Sequence, residues 1–324
     1  MNQTDNSGRV AALFDVALTF EGNFAALSDS APSHGQQQTN EAFTEKWSRY
    51  EDTDEKAAFY GFQRDWYLRL YGFGDTPSLR AHLEGCEVIF DAGCGLGYKA
   101  AWLAELAPHA LVIGMDFSGA ALAAAKTYAH VPNLFFLRGD IAHSGFRDGV
   151  VDYVNCDQVI MHTDDHDATF AELSRICRPD GGEVACYFYA KKALPRELLD
   201  DHFRAACTNL PHEALWEMSA QLTELGRRLS ALDVTFDAPD IPLLGIKGGT
   251  YDLQRFIYWN FIKCFWNPEL GHDTSMATNF DWYSPSKARR FSEDEVHELV
   301  AKHGLGETFF HVEEACFAGR FGRP

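Results

Sequence analysis

Chemistry is most legible in Asp91-Ala92-Gly93-Cys94-Gly95-Leu96-Gly97, which directly follows the apolar run Val88-Ile89-Phe90. Glycines at alternate positions let the backbone turn sharply and let a ligand touch the main chain with no Cβ in the way. The spacing is DxGxGxG, not the GxGxxG of a dinucleotide turn. It suits a ligand with no pyrophosphate to seat on a helix N-terminus. Three more carboxylates close apolar runs: Asp116 after 111–115, Asp140, with Gly139, after 134–137, and Asp157, with Gln158, after 150–156. A carboxylate at such a point can accept from a pair of hydroxyls or from an amine. Each alone would read equally well as a solvated loop residue. Their recurrence at successive run ends argues for one shared site.

Those runs need elements to hold them. Val88-Ile89-Phe90, 111–115, 134–137, 150–156 and 183–189 are strand-like, with helical segments between them, which predicts a parallel sheet covered on both faces. Ser118 can cap the helix running to Ala125, and Pro179-Asp180-Gly181-Gly182 is a turn into the fifth strand. Ser292-Glu293-Asp294-Glu295 is a capping box for a helix ending at Lys302-His303-Gly304. Two last runs, 308–312 and 315–321, read as an antiparallel hairpin. The expected fold is a doubly wound, Rossmann-like α/β sheet of seven strands with an antiparallel end. Its parts are an N-terminal helical lid (1–85), the core (86–190), a helical cap insertion (191–280) and a C-terminal return to the sheet (281–324).

With those residues in place, the chain resembles the class I S-adenosylmethionine-dependent methyltransferases. The resemblance implies that the loop of Asp91, Gly93, Cys94, Gly95 and Gly97 wraps the amino acid part of S-adenosylmethionine. It implies that Asp116, with Phe117 next to it, holds the ribose hydroxyls, and that Asp140 reaches the adenine amine with Ile141 beside the ring. Asn155, Cys156, Asp157 and Gln158 would lie next to the sulfonium. Outside the core, Gln36-Gln37-Gln38-Thr39 with Phe43 and Trp47, and Phe280-Asp281-Trp282-Tyr283-Ser284-Pro285, are similar to segments of a bacterial group that methylates small molecules.

Several residues carry two readings each. His162, after the fourth strand, could be a general base because its ordinary pKa lies near neutrality, or it could pack at the pocket mouth. His162 and His166 have the spacing of a metal pair. No third ligand is identifiable, however, and the acids between them suit a helix start, so no metal is expected. The stretch 251–266 is aromatic at helical spacing. It reads as a buried helix, or as an acceptor wall in which Tyr258 and Trp259, with Trp47 and Tyr283, touch the substrate. Arg289-Arg290 could hold an anionic acceptor or could be surface charge.

Charge narrows the partners. Lys plus Arg is 28 against 47 Asp plus Glu, a net charge of −19, which repels phosphate backbones. Neither nucleic acid nor membrane is an expected partner, and the oligomeric state stays open, a homodimer included. The beginning of the chain lacks the pattern of a secretory signal, and no run approaches the roughly 18 apolar residues of a spanning helix. Eight cysteines without a CxxC pair read as buried hydrophobes, so the expectation is a reduced, cytoplasmic protein. Methyl transfer to a small molecule leads. The alternatives are cyclisation or transfer of the cofactor's aminocarboxypropyl chain, which would release methylthioadenosine, and cofactor binding without catalysis.

Overall fold

A computed structural model describes residues 3–27, 33–50 and 56–324. Six strands precede the middle of the chain: β1 (Phe24–Ala26), β2 (Val88–Ala92), β3 (Leu111–Asp116), β4 (Leu134–Arg138), β5 (Tyr153–Cys156) and β6 (Glu183–Tyr189). Four follow: β7 (Thr235–Ala238), β8 (Gly249–Asp252), β9 (Gly306–Val312) and β10 (Cys316–Gly322). Eight of them form one sheet in the order β1-β4-β3-β2-β5-β6-β10-β9. Only β10 runs against the rest, pairing antiparallel with both β6 and β9. Every residue of β2 and β5 is buried, as expected for apolar runs in a sheet covered on both faces.

The sheet has eight strands, one more than the sequence reading gave. The addition is β1, which pairs parallel with β4 through Phe24 opposite Phe136. Three residues, Phe-Ala-Ala, are too short to show a period of two, so β1 left no pattern to read.

The chain packs as two compact units. One comprises residues 1–33, 63–189 and 289–324 and holds the large sheet; the other comprises 34–62 and 190–288. The expected divisions at 85 and 280 therefore do not mark these units. The helix Gly271–Tyr283 runs unbroken across 280, and Ser284 N still donates to Phe280 O at 3.0 Å, so no break exists there. The expected helix over 251–266 is shorter as well. Tyr251 and Asp252 belong to β8, Asp252 caps a helix of Leu253–Asn260, and 261–266 is irregular. Among the described residues, no helix is long and apolar enough to cross a membrane.

In the helical unit the two short motifs singled out from sequence meet. Gln38 Nε2 donates to Ser284 O at 2.8 Å, and Gln38 Oε1 accepts from Ser286 N at 2.8 Å. Thr39 Oγ1 accepts from Lys287 N at 3.2 Å. One glutamine side chain thus satisfies a backbone donor and a backbone acceptor of the 284–287 stretch, as a strand neighbour would. Phe280 in the same region stacks on Trp216 at 4.0 Å between ring centres.

Candidate cofactor site and the buried cation cluster

Sheet order locates the first site. β2 is followed in sequence by β3 on one side, while β5 and β6 lie on its other side, so the direction of winding reverses at β2. In an open α/β sheet the ligand crevice lies beyond the carboxyl ends of the strands at that reversal. Asp91, near the end of β2, and Asn155, on β5, stand there in register with each other.

The glycine loop leaves β2 with Gly93 N and Cys94 N both donating to Met115 O, at 2.8 and 2.9 Å. Gly93 and Gly97 have φ of +80° and +78°. A Cβ on Gly93 would stand 2.4 Å from Val159 Cγ1, and one on Gly97 would stand 2.6 Å from Phe136 Cε1. Both glycines are therefore required by space as well as by φ. Asp116 fastens the same loop. Its Oδ2 accepts from Gly95 N at 2.9 Å, and its Oδ1 accepts from Ser118 N and Ser118 Oγ at 2.9 and 2.6 Å. Phe117 is half-buried beside it, and Gly139 N donates to Asp116 O at 3.1 Å, joining the ends of β3 and β4. Asp140 then caps a short turn by accepting from Ala142 N at 2.9 Å, while Ile141 is buried.

Asp91 is the electrostatic oddity. It is buried, and its Oδ1 accepts from Asn155 Nδ2 at 2.7 Å. Asp91 Oδ2 and Asn155 Oδ1 are both buried and accept nothing from the described residues. Burial pushes the Asp91 carboxyl up to about 6; the Asn155 hydrogen bond and the Lys99 charge pull the other way. Two adjacent buried acceptors without donors are costly in an interior, and they suit a ligand that brings hydroxyl or ammonium protons. Asp157 is paired instead: it accepts from Tyr71 OH at 2.9 Å and forms a close ion pair with Lys99. Its neighbour Gln158 lies in the left-handed region at φ +64°, held by donating to Gln63 Oε1 at 2.9 Å. Tyr98 OH donates to that same Gln63 oxygen at 3.2 Å.

Lys99, Gln63, Tyr71 and Tyr98 were not anticipated from sequence. Lys99 left a clue, because a lysine in the first turn of a helix opposes the dipole and so calls for an acid. Gln63 and Tyr71 left none. His162 is buried, its ring edge-on to Tyr189 at 5.5 Å, and His166 packs edge-on to Phe291 at 5.3 Å. Burial, with Arg289 adding to it, lowers the pKa of His166. Arg289 itself donates to Glu295 at 3.2 Å and lies 4.9 Å from the centre of the Phe291 ring.

The helical unit contains a second polar cluster. Arg196 and Asp200 are fully buried and bonded at 2.8 Å, one helical turn apart. The other Asp200 oxygen accepts from Tyr283 OH at 2.8 Å, and Arg196 also donates to Tyr258 O. Lys263, 5% exposed, donates from Nζ to Tyr258 OH at 3.2 Å. Its Nζ stands 4.6, 5.4 and 5.7 Å from the ring centres of Trp282, Tyr258 and Phe265. Tyr258 and Tyr283 thus join one cluster, with Trp259 edge-on to Tyr258 at 4.5 Å. Trp47 stands elsewhere, 4.6 Å from Lys46 Nζ, which is itself ion-paired to Asp281. Sequence reasoning found the tyrosines and missed Arg196, Asp200 and Lys263, because an Arg–Asp pair at i,i+4 looks the same on an exposed helix face.

The chain is similar to known methyltransferases over part of its length. Residues 90–184 match the methyltransferase domain family. A trans-aconitate 2-methyltransferase of Deinococcus radiodurans is 37% identical over 93 residues, 29% of this chain and 34% of that protein. A probable S-adenosylmethionine-dependent methyltransferase of Mycolicibacterium smegmatis is 36% identical over 101 residues, 31% of this chain and 38% of that protein. Among solved structures, 1,6-didemethyltoxoflavin-N1-methyltransferase of Burkholderia thailandensis is 12% identical, with 95% of this chain and 94% of that chain covered at a TM-score of 0.48. The chain thus spans about a third of the length of these curated relatives. The methyltransferase-domain match, 90–184, falls on the strands that flank the sheet's reversal point.

Proposed function

We propose that the protein transfers a methyl group from S-adenosylmethionine to a small-molecule acceptor. The observation that carries this reading is the pair of buried acceptors without donors, Asp91 Oδ2 and Asn155 Oδ1, beside the glycine loop at the sheet's reversal point. The residues present fit the cofactor. Asp91 and Asn155 can take the ammonium or hydroxyl protons, the loop leaves backbone free of Cβ atoms, and Asp116 keeps acceptor capacity for the ribose. Asp140 and Ile141 are assigned to the adenine, and Asp157 and Gln158 to the neighbourhood of the sulfonium. Bound S-adenosylmethionine supplies a methyl group on a positively charged sulfur that is already a good leaving group. The chain's own task is then alignment and exclusion of water rather than nucleophilic attack. Tyr71 and Lys99 hold the Asp157 carboxylate in one orientation, and Gln63 holds Gln158 in its unusual backbone conformation. His162 is proposed as the base for an acceptor that must lose a proton.

The residues that choose the acceptor belong outside the matched span, because the strand ends inside it are committed to the cofactor. Trans-aconitate, the acceptor named for the Deinococcus protein, is the first compound to try. The test is calorimetric binding of S-adenosylhomocysteine, followed by mass analysis of what S-adenosylmethionine becomes. Saturation at 100 times Kd should stabilise the fold by about 2.7 kcal/mol. Release of S-adenosylhomocysteine with a methylated acceptor is the expected result. Methylthioadenosine as product would establish the chain-transfer alternative, and absence of binding would overturn the reading.

A further inference from the structure

We infer that Lys263, with Arg255, is a recognition point in the helical unit for a ligand that carries a carboxylate or phosphoryl group. Lys263 is buried, yet among the described residues no carboxylate lies within 4.0 Å of its Nζ; its polar partner is the Tyr258 hydroxyl. Arg255, half-buried, shares the same two rings: its guanidinium carbon lies 5.7 and 5.9 Å from the centres of Tyr258 and Phe265. The Lys263 ammonium lies 5.4 and 5.7 Å from those centres. The one buried carboxylate in the cluster, Asp200, is consumed, with one oxygen on Arg196 and the other on Tyr283.

The chain makes this arrangement unusual. Acids outnumber Lys and Arg by 47 to 28, so cations have a surplus of partners to choose from. Fold stability alone would favour an acid beside Lys263 or an apolar side chain in its place, since a buried charge without a counter-charge is penalised and ring faces only partly offset that. A cation kept without an acid, on an aromatic shelf and next to a second, more exposed cation, has the composition of a site for an anionic ligand. Lys263 then supplies a point charge, Arg255 supplies the forked donor at the rim, and the rings bound the apolar part of the molecule.

The experiment compares the full-length wild type with Lys263→Met, which keeps the stem and removes the charge. Citrate and inorganic phosphate are the probes, against potassium chloride of matched ionic strength. Melting temperature and calorimetric affinity are measured, and S-adenosylhomocysteine binding is followed in parallel. The expected result is a citrate- or phosphate-dependent rise in the wild type that Lys263→Met abolishes, with affinity falling at least about tenfold. The probe-free variant should melt above the wild type, and its S-adenosylhomocysteine affinity should be unchanged. A variant that melts lower and keeps its response to the anions would make Lys263 a packing element and overturn the inference. So would a wild type indifferent to both anions. If Lys263→Met fails to fold, Arg255→Met decides: a lost anion response supports the site, and an unchanged one overturns it. Anion binding through Lys263 in a protein that ignores S-adenosylhomocysteine would sink the methyl-transfer reading and leave the anion site standing.

Discussion

The sheet unit and the helical unit each hold a balanced buried ion pair and, near it, polar groups out of balance, and these imbalances have opposite signs. In the sheet unit Lys99 balances Asp157, while Asp91 Oδ2 and Asn155 Oδ1 are acceptors with no donor. In the helical unit Arg196 balances Asp200, while among the described residues no carboxylate lies within 4.0 Å of Lys263 Nζ. A folded chain satisfies its interior wherever the sequence allows, so departures from that rule are expected where a ligand completes the set. A ligand that brings donors to one unit and an anionic group in the other would complete the two proposed sets. The contrast also explains why the paired residues alone do not mark a site.

The largest effect expected from this contrast belongs to a residue that is balanced. Arg196→Met leaves Asp200 buried with Tyr283 as its hydrogen-bonding partner, and removing one side of a buried pair typically costs about 3–5 kcal/mol. Lys263→Met should shift stability the other way. Urea unfolding of both variants checks the difference in sign. Losses of similar size in both would mean that the cluster is one structural network and would break the comparison.

How much of this was legible in the sequence differs between the units for a physical reason. β2 to β6 announce themselves because strands covered on both faces are continuous apolar runs, and the glycine loop because Gly93 and Gly97 answer to space as well as φ. The carboxylates Asp91, Asp116, Asp140 and Asp157 followed, since each sits where a run ends. The helical unit gave helices and aromatics but not its chemistry. Arg196, Asp200 and Lys263 look like surface charge until packing buries them, and the rule that charges lie outside is then misleading. Gln38 and Thr39 were noticed as a motif, but their partners in 284–287 lie some 250 residues away in sequence, beyond any local pattern. Strand β1 was missed because three residues carry no period.

Asp91 offers the next test, one that depends on pH. Burial raises its carboxyl to about 6 in the folded protein, against about 3.9 in an unfolded chain. A shift of roughly two units corresponds to roughly 3 kcal/mol. The folded state therefore holds a proton that the unfolded state has released between about pH 4 and 6, and stability falls as pH rises through that window. Asp91→Asn removes the effect. It should match the wild type near about pH 4 and exceed it at about pH 8 by up to roughly 3 kcal/mol, while binding S-adenosylhomocysteine more weakly. In the wild type, affinity for that ammonium-bearing ligand should rise as pH passes about 6. Stability profiles that coincide for both proteins, with pH-independent affinity, would remove Asp91 from the ligand's partners.

The smallest expected effect separates the two carboxylates that end β3 and β4. Asp116 accepts from Gly95 N, Ser118 N and Ser118 Oγ, so it shapes the glycine loop as well as being the acceptor proposed for the ribose. Asp140 accepts from Ala142 N, and its Oδ2 lies 3.0 Å from Nδ1 of His143, an exposed partner with no part in the loop. Asp116→Ala should therefore weaken S-adenosylhomocysteine binding by about 1–3 kcal/mol, since charged acceptors count for more than neutral ones. Asp140→Ala should cost about 1 kcal/mol or less, most of it the lost cap of a short turn, because an adenine amine can turn to water. Calorimetric affinities for the two variants, with melting temperatures to separate folding from binding, give the order. Asp116→Asn keeps an acceptor oxygen and should recover part of the loss. If Asp140→Ala proves the more damaging of the two, the adenine contact is the stronger anchor. The tie from Asp116 to Gly95 N would then be a feature of the fold alone, and the ribose would have to find its acceptor elsewhere among the strand ends.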